Sequence, residues 1–383
     1  MKILYHHRTL GDGAEGIHIR DMVAAFRALE HEVMVVGPVG ETKPELNQRV
    51  GLLTRLKKGM PCILFEVCEI AYTIYSAFQI FRLIKKNRPD FIYDRYITFN
   101  AGCILAAKIN KVPILVEVNA PLALERSQEP DEKLIFRKLA FFIESWVCKH
   151  ANRTIVVSTP LKEYLISVGV PQEKIIVMPN GVNDKKFIPA PKSQELLDEL
   201  GIGRDDVTIG FTGVLRPWHG VDILVRSVAE LSKEKNIFLL IVGDGPIRQE
   251  IEQLIKETGL EGKAAITGRV DHEKVPQYVN LIDIAVSPKT TFYASPMKVI
   301  EYMSMGKAVV APDTKNLLDI IDPEVNGKVF LVDDFYSLRD VLASLSENGC
   351  FRNSLGASAR EKVNRRLNWG WNASEVCRIV SDL

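Results

Sequence analysis

Short apolar runs alternate with longer stretches of helical spacing along the first half of the chain. The strands that we predict there are Lys2–His6, Glu32–Val36, Phe91–Tyr93, Ile114–Val118, Thr154–Val157 and Lys174–Met178. The helices predicted between them are Ile17–Leu29, Ile63–Lys86, Asn100–Ile109, Glu132–His150 and Pro160–Val168. Strands and helices at this spacing are typical of right-handed βαβ units, so this half predicts a parallel sheet.

The same alternation begins again in the second half. The strands predicted there are Thr208–Thr212, Phe238–Val242, Ala264–Thr267, Ile284–Val286 and Ala308–Val310, and the helices are Val221–Lys233, Ile247–Thr258 and Pro296–Met305. A stretch rich in proline, glycine and asparagine, Asn180–Lys192, reads as a linker. We therefore predict an α/β protein with two doubly wound Rossmann-like domains and a cleft between them. The first domain takes residues 1–183 with a crossover helix at 367–383, and the second takes 192–366.

Composition narrows the classes of function. A length of 383 residues fits two domains, and a net charge of +1 gives no case for nucleic-acid binding. The six cysteines are scattered without C-x-x-C spacing, which favours reduced thiols in a cytoplasmic protein. Met1 and Lys2 lead straight into a strand, so we expect no signal peptide.

The most apolar long stretch is Met60–Ile84. It contains Glu66 and Glu69, so it does not read as a membrane span. Basic residues flank it on both sides: Arg55, Lys57, Lys58, Lys85, Lys86 and Arg88. Two interpretations stay open, a core helix or an interfacial helix. The second would give peripheral contact with anionic lipid at the inner face of the membrane.

Ser287–Ala311 is the stretch richest in candidate chemistry. A buried strand leads into a polar loop, and Ser295 with Pro296 signals a helix start, with Ser295 as the expected cap. Lys298 and Glu301 follow at a spacing of three residues. A helix N-terminus after a buried strand predicts an anion site, and a carboxylate one turn further in can accept hydrogen bonds from sugar hydroxyls.

Three other loops of the second half repeat this logic. Gly213–Gly220 offers Gly213 for close backbone approach, Arg216 for phosphate oxygens, and His219 just before a helix. The alternative is an ordinary connection with Trp218 as an aromatic plug. Weaker signals are the turn at Gly243 and the pair Arg269-Val270, whose backbone could contact a nucleobase.

The first half offers candidates for the acceptor side. Its glycine loop (Gly11, Gly13, Gly16) is not a nicotinamide fingerprint, because no acidic residue closes the second strand. His18 is either functional or a helix-cap histidine. Glu117 and Asn119 follow a buried strand, where they either bind an acceptor hydroxyl or merely shape the turn.

Taken together, these stretches resemble the retaining glycosyltransferases of family 4, which have the GT-B fold. The resemblance runs through the glycine loop with His18 and through HEVMVV, KIIVMPNGVNDKKF, FTGVLRPWHGVDIL, LLIVGDGP, ITGRVDHEKVPQYV, DIAVSP, SPMKVIEYMSMGKAVVAP and the final NWGW. It implies transfer of a sugar from a nucleotide-sugar donor to a hydroxyl of a glycan or lipid-linked acceptor, with retention of configuration. It implies no metal and no cofactor, and it leaves UDP-, GDP- and ADP-linked donors open.

The resemblance also implies roles for individual residues. Glu301, Lys298 and His18 are the expected catalytic residues, with Glu301 on the donor ribose. The expected donor-binding residues are Gly213, Arg216, His219, Gly243, Arg269, Val270, Tyr293, Ser295, Pro296, Met297 and Glu301. The expected acceptor-side residues are Gly16, Glu117 and Asn119.

The chain departs from the family pattern at four positions. Tyr293 stands where the first glutamate of the Glu-x7-Glu pattern is expected, Val214 and His219 replace a basic pair, and Asn183 replaces an aspartate. These departures motivate an alternative of another class, a catalytically silent protein that binds a partner or a sugar nucleotide. A third, lower-ranked hypothesis is a nucleotide-sugar epimerase, which would need Glu117, His18 and His219 as acid and base.

Overall fold

The computed structural model describes residues 1–9, 13–37, 60–128 and 134–383. The chain forms two compact units, one of Met1–Pro179 with Trp369–Leu383 and one of Asn180–Asn368. The predicted end of the first domain at residue 183 and the predicted start of the crossover helix at residue 367 lie close to these limits. The second unit, however, begins at Asn180 and not at residue 192, so it includes the predicted linker Asn180–Lys192. Gly11 of the glycine loop and the basic residues Arg55, Lys57 and Lys58 lie outside the described residues.

The first unit is built on a six-stranded parallel sheet. Its strands are β1 (Lys2–His6), β2 (Glu32–Val36), β3 (Phe91–Arg95), β4 (Ile114–Val118), β5 (Arg153–Val156) and β6 (Ile175–Val177). Their order is β2-β1-β3-β4-β5-β6. The order reverses direction between β1 and β3, and in open parallel sheets ligands bind beyond the carboxyl ends of the strands at such a switch point.

The helices of the first unit follow the predicted alternation. They are α1 (Gly13–Ala28), α2 (Cys62–Asn87), α3 (Gly102–Asn110), α4 (Leu122–Gln128), α5 (Arg137–His150) and α6 (Thr159–Ser167). The prediction had no counterpart for α4, and it began α5 at residue 132, which lies outside the described residues. The C-terminal helix of the chain also packs against α1.

Helix α2 buries two glutamates and exposes many of its apolar side chains, the reverse of an ordinary amphipathic helix. Its glutamates Glu66 and Glu69 are 2% and 5% exposed, whereas Ile74 and Phe78 are 75% and 54% exposed. Among the described residues it is the one helix long and apolar enough to cross a membrane, on length and composition alone. A core helix of a soluble protein can meet the same criteria, but most of the apolar side chains of α2 face outward.

The second unit has its own six-stranded parallel sheet. Its strands are β7 (Val207–Thr212), β8 (Ile237–Val242), β9 (Ala264–Ile266), β10 (Ile284–Val286), β11 (Ala308–Pro312) and β12 (Lys328–Phe330). Their order is β12-β11-β10-β7-β8-β9, with the switch point between β7 and β10. Strand β12 has no counterpart in the prediction.

The helices of the second unit cover both faces of this sheet. They are α7 (Gln194–Leu200), α8 (Val221–Leu231), α9 (Arg248–Glu257), α10 (Val275–Leu281), α11 (Met297–Ser304), α12 (Lys315–Leu318), α13 (Phe335–Glu347) and α14 (Gly349–Arg366). After α14 the chain returns to the first unit as α15 (Trp369–Ser381).

Strand β8 shows why the sheet must be covered on both faces. Ile237, Leu239 and Ile241 pack in one apolar cluster, and Phe238 and Leu240 pack in the other. A strand buried on both faces reads as a continuous apolar run rather than as an alternating one. This is why the central strands were predictable from the sequence.

Candidate functional site

The switch point of the second sheet brings together the two loops singled out in the sequence. One loop follows β7 and contains Gly213 and His219, and the other follows β10 and leads into α11. The hydroxyl of Tyr302 in α11 lies 2.6 Å from the backbone nitrogen of Thr212 at the end of β7, which ties the helix to the strand. The candidate site therefore lies at the carboxyl ends of β7 and β10, where α11 is hydrogen-bonded to β7.

The loops after β7 and β8 touch through their backbones. Gly213 donates its N–H to the carbonyl of Val242 at 2.9 Å, and Gly243 has φ +148°. A Cβ atom added to Gly243 would lie 2.0 Å from the carbonyl oxygen of Gly213. This close approach requires glycine at residue 243, so the residue shapes the loop independently of any ligand contact.

Lys298 lies in the first turn of α11 and has a buried side-chain ammonium group. Its ammonium nitrogen is buried without a hydrogen-bond partner in the structure and lies 4.1 Å from the ring centroid of Phe211. A Cβ atom on Gly213 would be 2.9 Å from this nitrogen. Burial lowers the pKa of Lys298 to about 7, and nearby Glu301 offsets only part of that effect.

The N-terminus of α11 differs from the prediction at Ser295. Pro296 is the cap residue, and no side chain caps the helix. The hydroxyl of Ser295 instead accepts a hydrogen bond from the backbone N–H of Asn180 at 2.9 Å, so the prediction of a Ser295 cap is wrong. Helix α11 therefore begins without a side-chain cap, and Lys298 lies in its first turn.

His219 is half-buried, whereas Arg216 is exposed. His219 has its Nδ1 atom 2.6 Å from the carbonyl oxygen of Val214, and burial followed by the charge of Lys298 lowers its pKa to about 4. The imidazole is therefore neutral at neutral pH and cannot replace a lysine as a cation. Arg216 is exposed and stacks on Trp218 at 4.9 Å.

Glu301 has a partner that the sequence did not indicate. Its Oε1 lies 3.2 Å from Nε2 of His272, and Nδ1 of His272 lies 2.7 Å from the ammonium of Lys186. An ammonium can only donate, so Nδ1 must accept and the ring proton must lie on Nε2. His272 thus donates to Glu301. The contacts join residues 29 and 86 positions apart, so no local pattern could reveal them.

The remaining donor-side candidates surround this centre. Gly268 and Gly243 form an isolated bridge, which brings the loop with exposed Arg269 and half-buried Val270 beside the β8 loop. Tyr293 packs edge-on against Phe292 in the β10 loop. Met297 is half-buried at the start of α11. Asn316 holds the same loop through the carbonyls of Thr291 and Ala294, a contact that we did not predict.

The acceptor-side candidates form a second cluster, within the first unit. Nε2 of buried His18 lies 2.7 Å from Oε1 of Glu117, and Asn119 donates to the same oxygen at 3.0 Å. The His18 ring packs 4.5 Å from the ring of Trp369. Gly16 lies buried in the first turns of the same helix, α1. The structure thus joins His18 to Glu117 and Asn119.

Burial and neighbouring side chains determine the protonation of Glu117 and His18 in this cluster. Burial would raise the pKa of Glu117, but His18, Arg95 and the hydrogen bond from Asn119 outweigh it and lower the pKa to about 2. Burial also lowers the pKa of His18, so the pair is a neutral imidazole that donates to a carboxylate. Oε2 of Glu117 is buried without a partner in the structure and can accept one further hydrogen bond.

Two family models match the chain, one in each unit. The model described as Glycosyltransferase Family 4 matches residues 15–186, and the model described as Glycosyl transferases group 1 matches residues 192–362. A solved structure of Anabaena HepE in complex with UDP superposes with a TM-score of 0.74 at 17% identity, covering 100% of both chains.

Curated relatives of the chain are also named as glycosyltransferases. An uncharacterised glycosyltransferase of Methanocaldococcus jannaschii is 26% identical over 231 residues, which is 59% of each protein. The chain therefore matches less than two thirds of the length of that relative. An N,N'-diacetylbacillosaminyl-diphospho-undecaprenol alpha-1,3-N-acetylgalactosaminyltransferase of Campylobacter jejuni is 23% identical over 364 residues, which is 91% of each protein. With one model matched in each unit and two parallel Rossmann-like sheets, the chain belongs to the family 4, group 1 glycosyltransferases and has the GT-B fold.

Proposed function

We propose that this protein is a retaining glycosyltransferase that moves a sugar from a nucleotide-sugar to a hydroxyl of a lipid-linked glycan. The observation that carries the proposal is the buried ammonium of Lys298 beside Gly213, which has no hydrogen-bond partner among the described residues. A buried cation without a partner is costly, and an anionic ligand removes that cost. Its position at the switch point, beside an uncapped helix start, suits a diphosphate group.

The donor ribose is assigned to Glu301. His272 occupies Oε1 of this carboxylate, and the remaining acceptor capacity is available for ribose hydroxyls. The adjoining loop that holds Arg269 and Val270 would then lie along the nucleobase. Different groups thus bind the two parts of the nucleotide. Lys298 binds the diphosphate, and Glu301 with the loop after β9 binds the nucleoside.

The proposed reaction retains the anomeric configuration without an enzyme nucleophile. The bond from the anomeric carbon to the phosphate oxygen breaks, and the acceptor oxygen bonds to the same face of the sugar. The acceptor proton passes to the leaving phosphate. Glu117, with a pKa near 2, is a poor proton acceptor and is assigned to binding the acceptor hydroxyl. The same argument weighs against the epimerase hypothesis, because neither Glu117 nor His219 is tuned as a base.

Metal independence is part of the proposal. Lys298, the uncapped start of α11 and Arg216 would supply the positive charge that stabilises the leaving diphosphate. Among the described residues, one group of metal-ligating side chains lies close together, His6, Asp94 and Cys103. It belongs to the first unit, where His6 Nδ1 and Asp94 Oδ1 are already 2.7 Å apart.

The acceptor class rests on two observations. The Campylobacter jejuni relative is named for a diphospho-undecaprenol acceptor. Helix α2 presents an apolar face to solvent and ends in Lys85 and Lys86, a combination suited to an anionic membrane surface. We therefore propose work on lipid-linked glycans, of the kind used in polysaccharide biosynthesis, at the cytoplasmic face of a membrane.

Substitution of Lys298 tests the donor site. Lys298→Met should weaken UDP binding by at least about tenfold, since a charge-assisted contact to the diphosphate is lost. The matched control is Lys307→Met, because Lys307 is also a partly buried lysine of the second unit but donates to the carbonyl of Asn280 at 3.0 Å. Calorimetry with UDP, GDP and ADP in EDTA measures both variants. Equal affinities in wild type and Lys298→Met would remove the assignment.

The catalytically silent alternative is favoured by His219, which is neutral where a lysine is expected. It shares the nucleotide site with the main proposal but not the turnover. Radiolabelled or mass-tagged sugar transfer from any nucleotide-sugar excludes it. Nucleotide binding with no transfer to any lipid-linked acceptor would favour it.

A further inference from the structure

Two arginines of the first unit converge on a single carboxylate. Nη2 of Arg126 lies 2.9 Å from one oxygen of Glu69, and Nη2 of Arg8 lies 3.7 Å from the other. The side chains of all three are less than one fifth exposed. One carboxylate therefore bridges two guanidinium groups, and it balances only one of their two charges.

Further N–H groups of this cluster have no hydrogen-bond acceptor among the residues that the structure describes. They are Nη1 of Arg8 and Nε of Arg126, and both are buried. The other glutamate on this side of α2, Glu66, accepts from the backbone N–H groups of Ile135 and Phe136 at 2.7 and 2.8 Å, so both of its oxygens are engaged. Buried guanidinium donors without acceptors are costly, so the cluster has capacity for an anion.

Aromatic rings hold both guanidinium planes in place. Arg8 lies 4.5 Å over the ring of Tyr72, and Arg126 lies 5.8 Å from the ring of Phe99. Stacking of this kind fixes the direction in which the fork of N–H groups points. Burial, opposed in part by Glu69, lowers the pKa of Arg8 from its ordinary value. An arginine guanidinium nevertheless stays charged in proteins. The donors are thus oriented before any ligand arrives.

The position of the cluster is that of a ligand site. Arg8 follows β1 and Phe99 follows β3, the two strands at the switch point of the first sheet. Glu69 and Tyr72 come from α2, and the Tyr72 ring that Arg8 covers lies 5.7 Å from the ring of Tyr75, which is 59% exposed. An anion bound here would have an apolar surface at hand for an attached hydrocarbon chain.

We propose that the Arg8–Arg126 pair binds the phosphate or diphosphate group that joins the acceptor glycan to its lipid, with the hydrocarbon chain toward the exposed face of α2. This inference rests on the proposed function, and it names the anionic group of the acceptor and the residues that bind it. Glu69 holds the arginines in the free protein and competes with the anion for them. The cluster therefore acts as an anion site with a built-in competitor.

Because Glu69 competes with the anion, the arginine variants and the glutamate variant should change anion affinity in opposite directions. Arg8→Ala and Arg126→Ala should each weaken binding of farnesyl diphosphate, the probe, by at least about tenfold. Glu69→Gln should tighten binding by at least about threefold, because it removes the competing charge. Arg153→Ala is the matched control, since Arg153 is a surface arginine at the opposite end of this sheet and should change nothing. Thermal midpoints of all variants confirm folding.

Further probes identify the anion and its source. Farnesol, which lacks the charge, should bind at least about tenfold more weakly than farnesyl diphosphate. Inorganic pyrophosphate should also bind more weakly, and equal affinity for the two diphosphates would overturn the lipid assignment. UDP affinity should be unchanged in all four variants, and a loss in Arg8→Ala would reassign the pair to the donor.

The two proposals fail differently. Weaker probe binding in folded Glu69→Gln, or unchanged binding in both arginine variants, would overturn the anion site while nucleotide binding stays intact. Arginine-dependent probe binding in a protein that binds no nucleotide would leave the anion site in place and overturn the proposed function.

Discussion

Lys298 shows how one buried charge links the pH dependence of stability to ligand binding. The folded protein holds its pKa near 7, whereas an unfolded lysine has a pKa of 10.5. Between these values the unfolded chain binds a proton that the folded protein does not bind. Stability therefore rises with pH from about 7 to about 10.5 through this residue.

We predict that Lys298→Met flattens this rise. Urea unfolding between pH 6 and pH 10 measures the difference, and wild type and variant should diverge progressively above pH 7. Lys307, whose burial lowers its pKa to about 8, contributes a similar slope to both proteins and so cancels in the comparison. Parallel stability curves over this range would mean that folding does not lower the pKa of Lys298.

We assign His272 to positioning, because its Nε2–H donates to Glu301 and its Nδ1 accepts from Lys186. We predict that His272→Ala weakens UDP binding by roughly tenfold and leaves the acceptor KM unchanged. His272→Gln, which keeps an amide donor, should recover part of the loss. The decisive readout is discrimination between UDP and its 2′- and 3′-deoxy analogues, measured by calorimetry.

A merely structural role of His272 would weaken all three nucleotides equally. A positioning role should instead shrink the preference for the ribose hydroxyls, because Glu301 is no longer held in place. Undiminished discrimination in a folded His272→Ala would therefore contradict the assignment.

At this scale the sequence predicts candidate residues only where they lie close together along the chain. Lys298 and Glu301 could be predicted because both lie in the first turns of one helix that follows a buried strand. Lys186 and His272 were not found, because their contacts depend on the packing of distant loops. The Ser295 cap was predicted wrongly, because a backbone N–H that lies 115 residues away takes its hydroxyl.

At the scale of elements, helix α2 is defined by which side it buries. Its glutamates face the unit, where Glu66 accepts backbone N–H groups and Glu69 accepts from Arg126. Its large apolar side chains are left outside. The sequence showed an apolar helix with interruptions, but it could not show that the interruptions form the buried face.

We predict that α2 binds membranes through this exposed face. Ile74→Glu with Phe78→Glu should reduce binding to vesicles that contain phosphatidylglycerol by at least about tenfold, because apolar side chains lose their place in the interface. Val325→Glu is the control, since Val325 is 59% exposed but belongs to the second unit. Vesicle flotation measures the effect. Wild type that fails to float with anionic vesicles would exclude membrane contact.

Helix α14 shows the opposite limit of sequence-based prediction. Its buried residues are Leu355, Gly356, Ala359, Lys362 and Val363. They are mostly small and include a lysine, so the helix has almost no apolar stripe. Gly356 packs so closely that a Cβ atom there would lie 2.0 Å from the carbonyl oxygen of Gly306. Close backbone packing stabilises this helix, and hydrophobic periodicity does not report it.

At the scale of the molecule, the two parallel sheets follow from repeated apolar strands separated by helices. The strand order within each sheet does not follow from the chain, yet it decides which loops meet. It places the β7 and β10 loops side by side in one unit, and the β1 and β3 loops side by side in the other. The proposed donor site and the proposed acceptor anion site each lie at one of these switch points.

The most direct test of the central claim is sugar transfer by purified wild type and Glu301→Ala, with Glu250→Ala as a surface control on α9. The assay offers UDP-, GDP- and ADP-sugars, with lipid diphosphate-linked glycans as acceptors. The account predicts transfer from one class of donor, loss of at least about a hundredfold in Glu301→Ala with an unchanged thermal midpoint, and normal transfer in Glu250→Ala. Near-normal turnover in Glu301→Ala would contradict it.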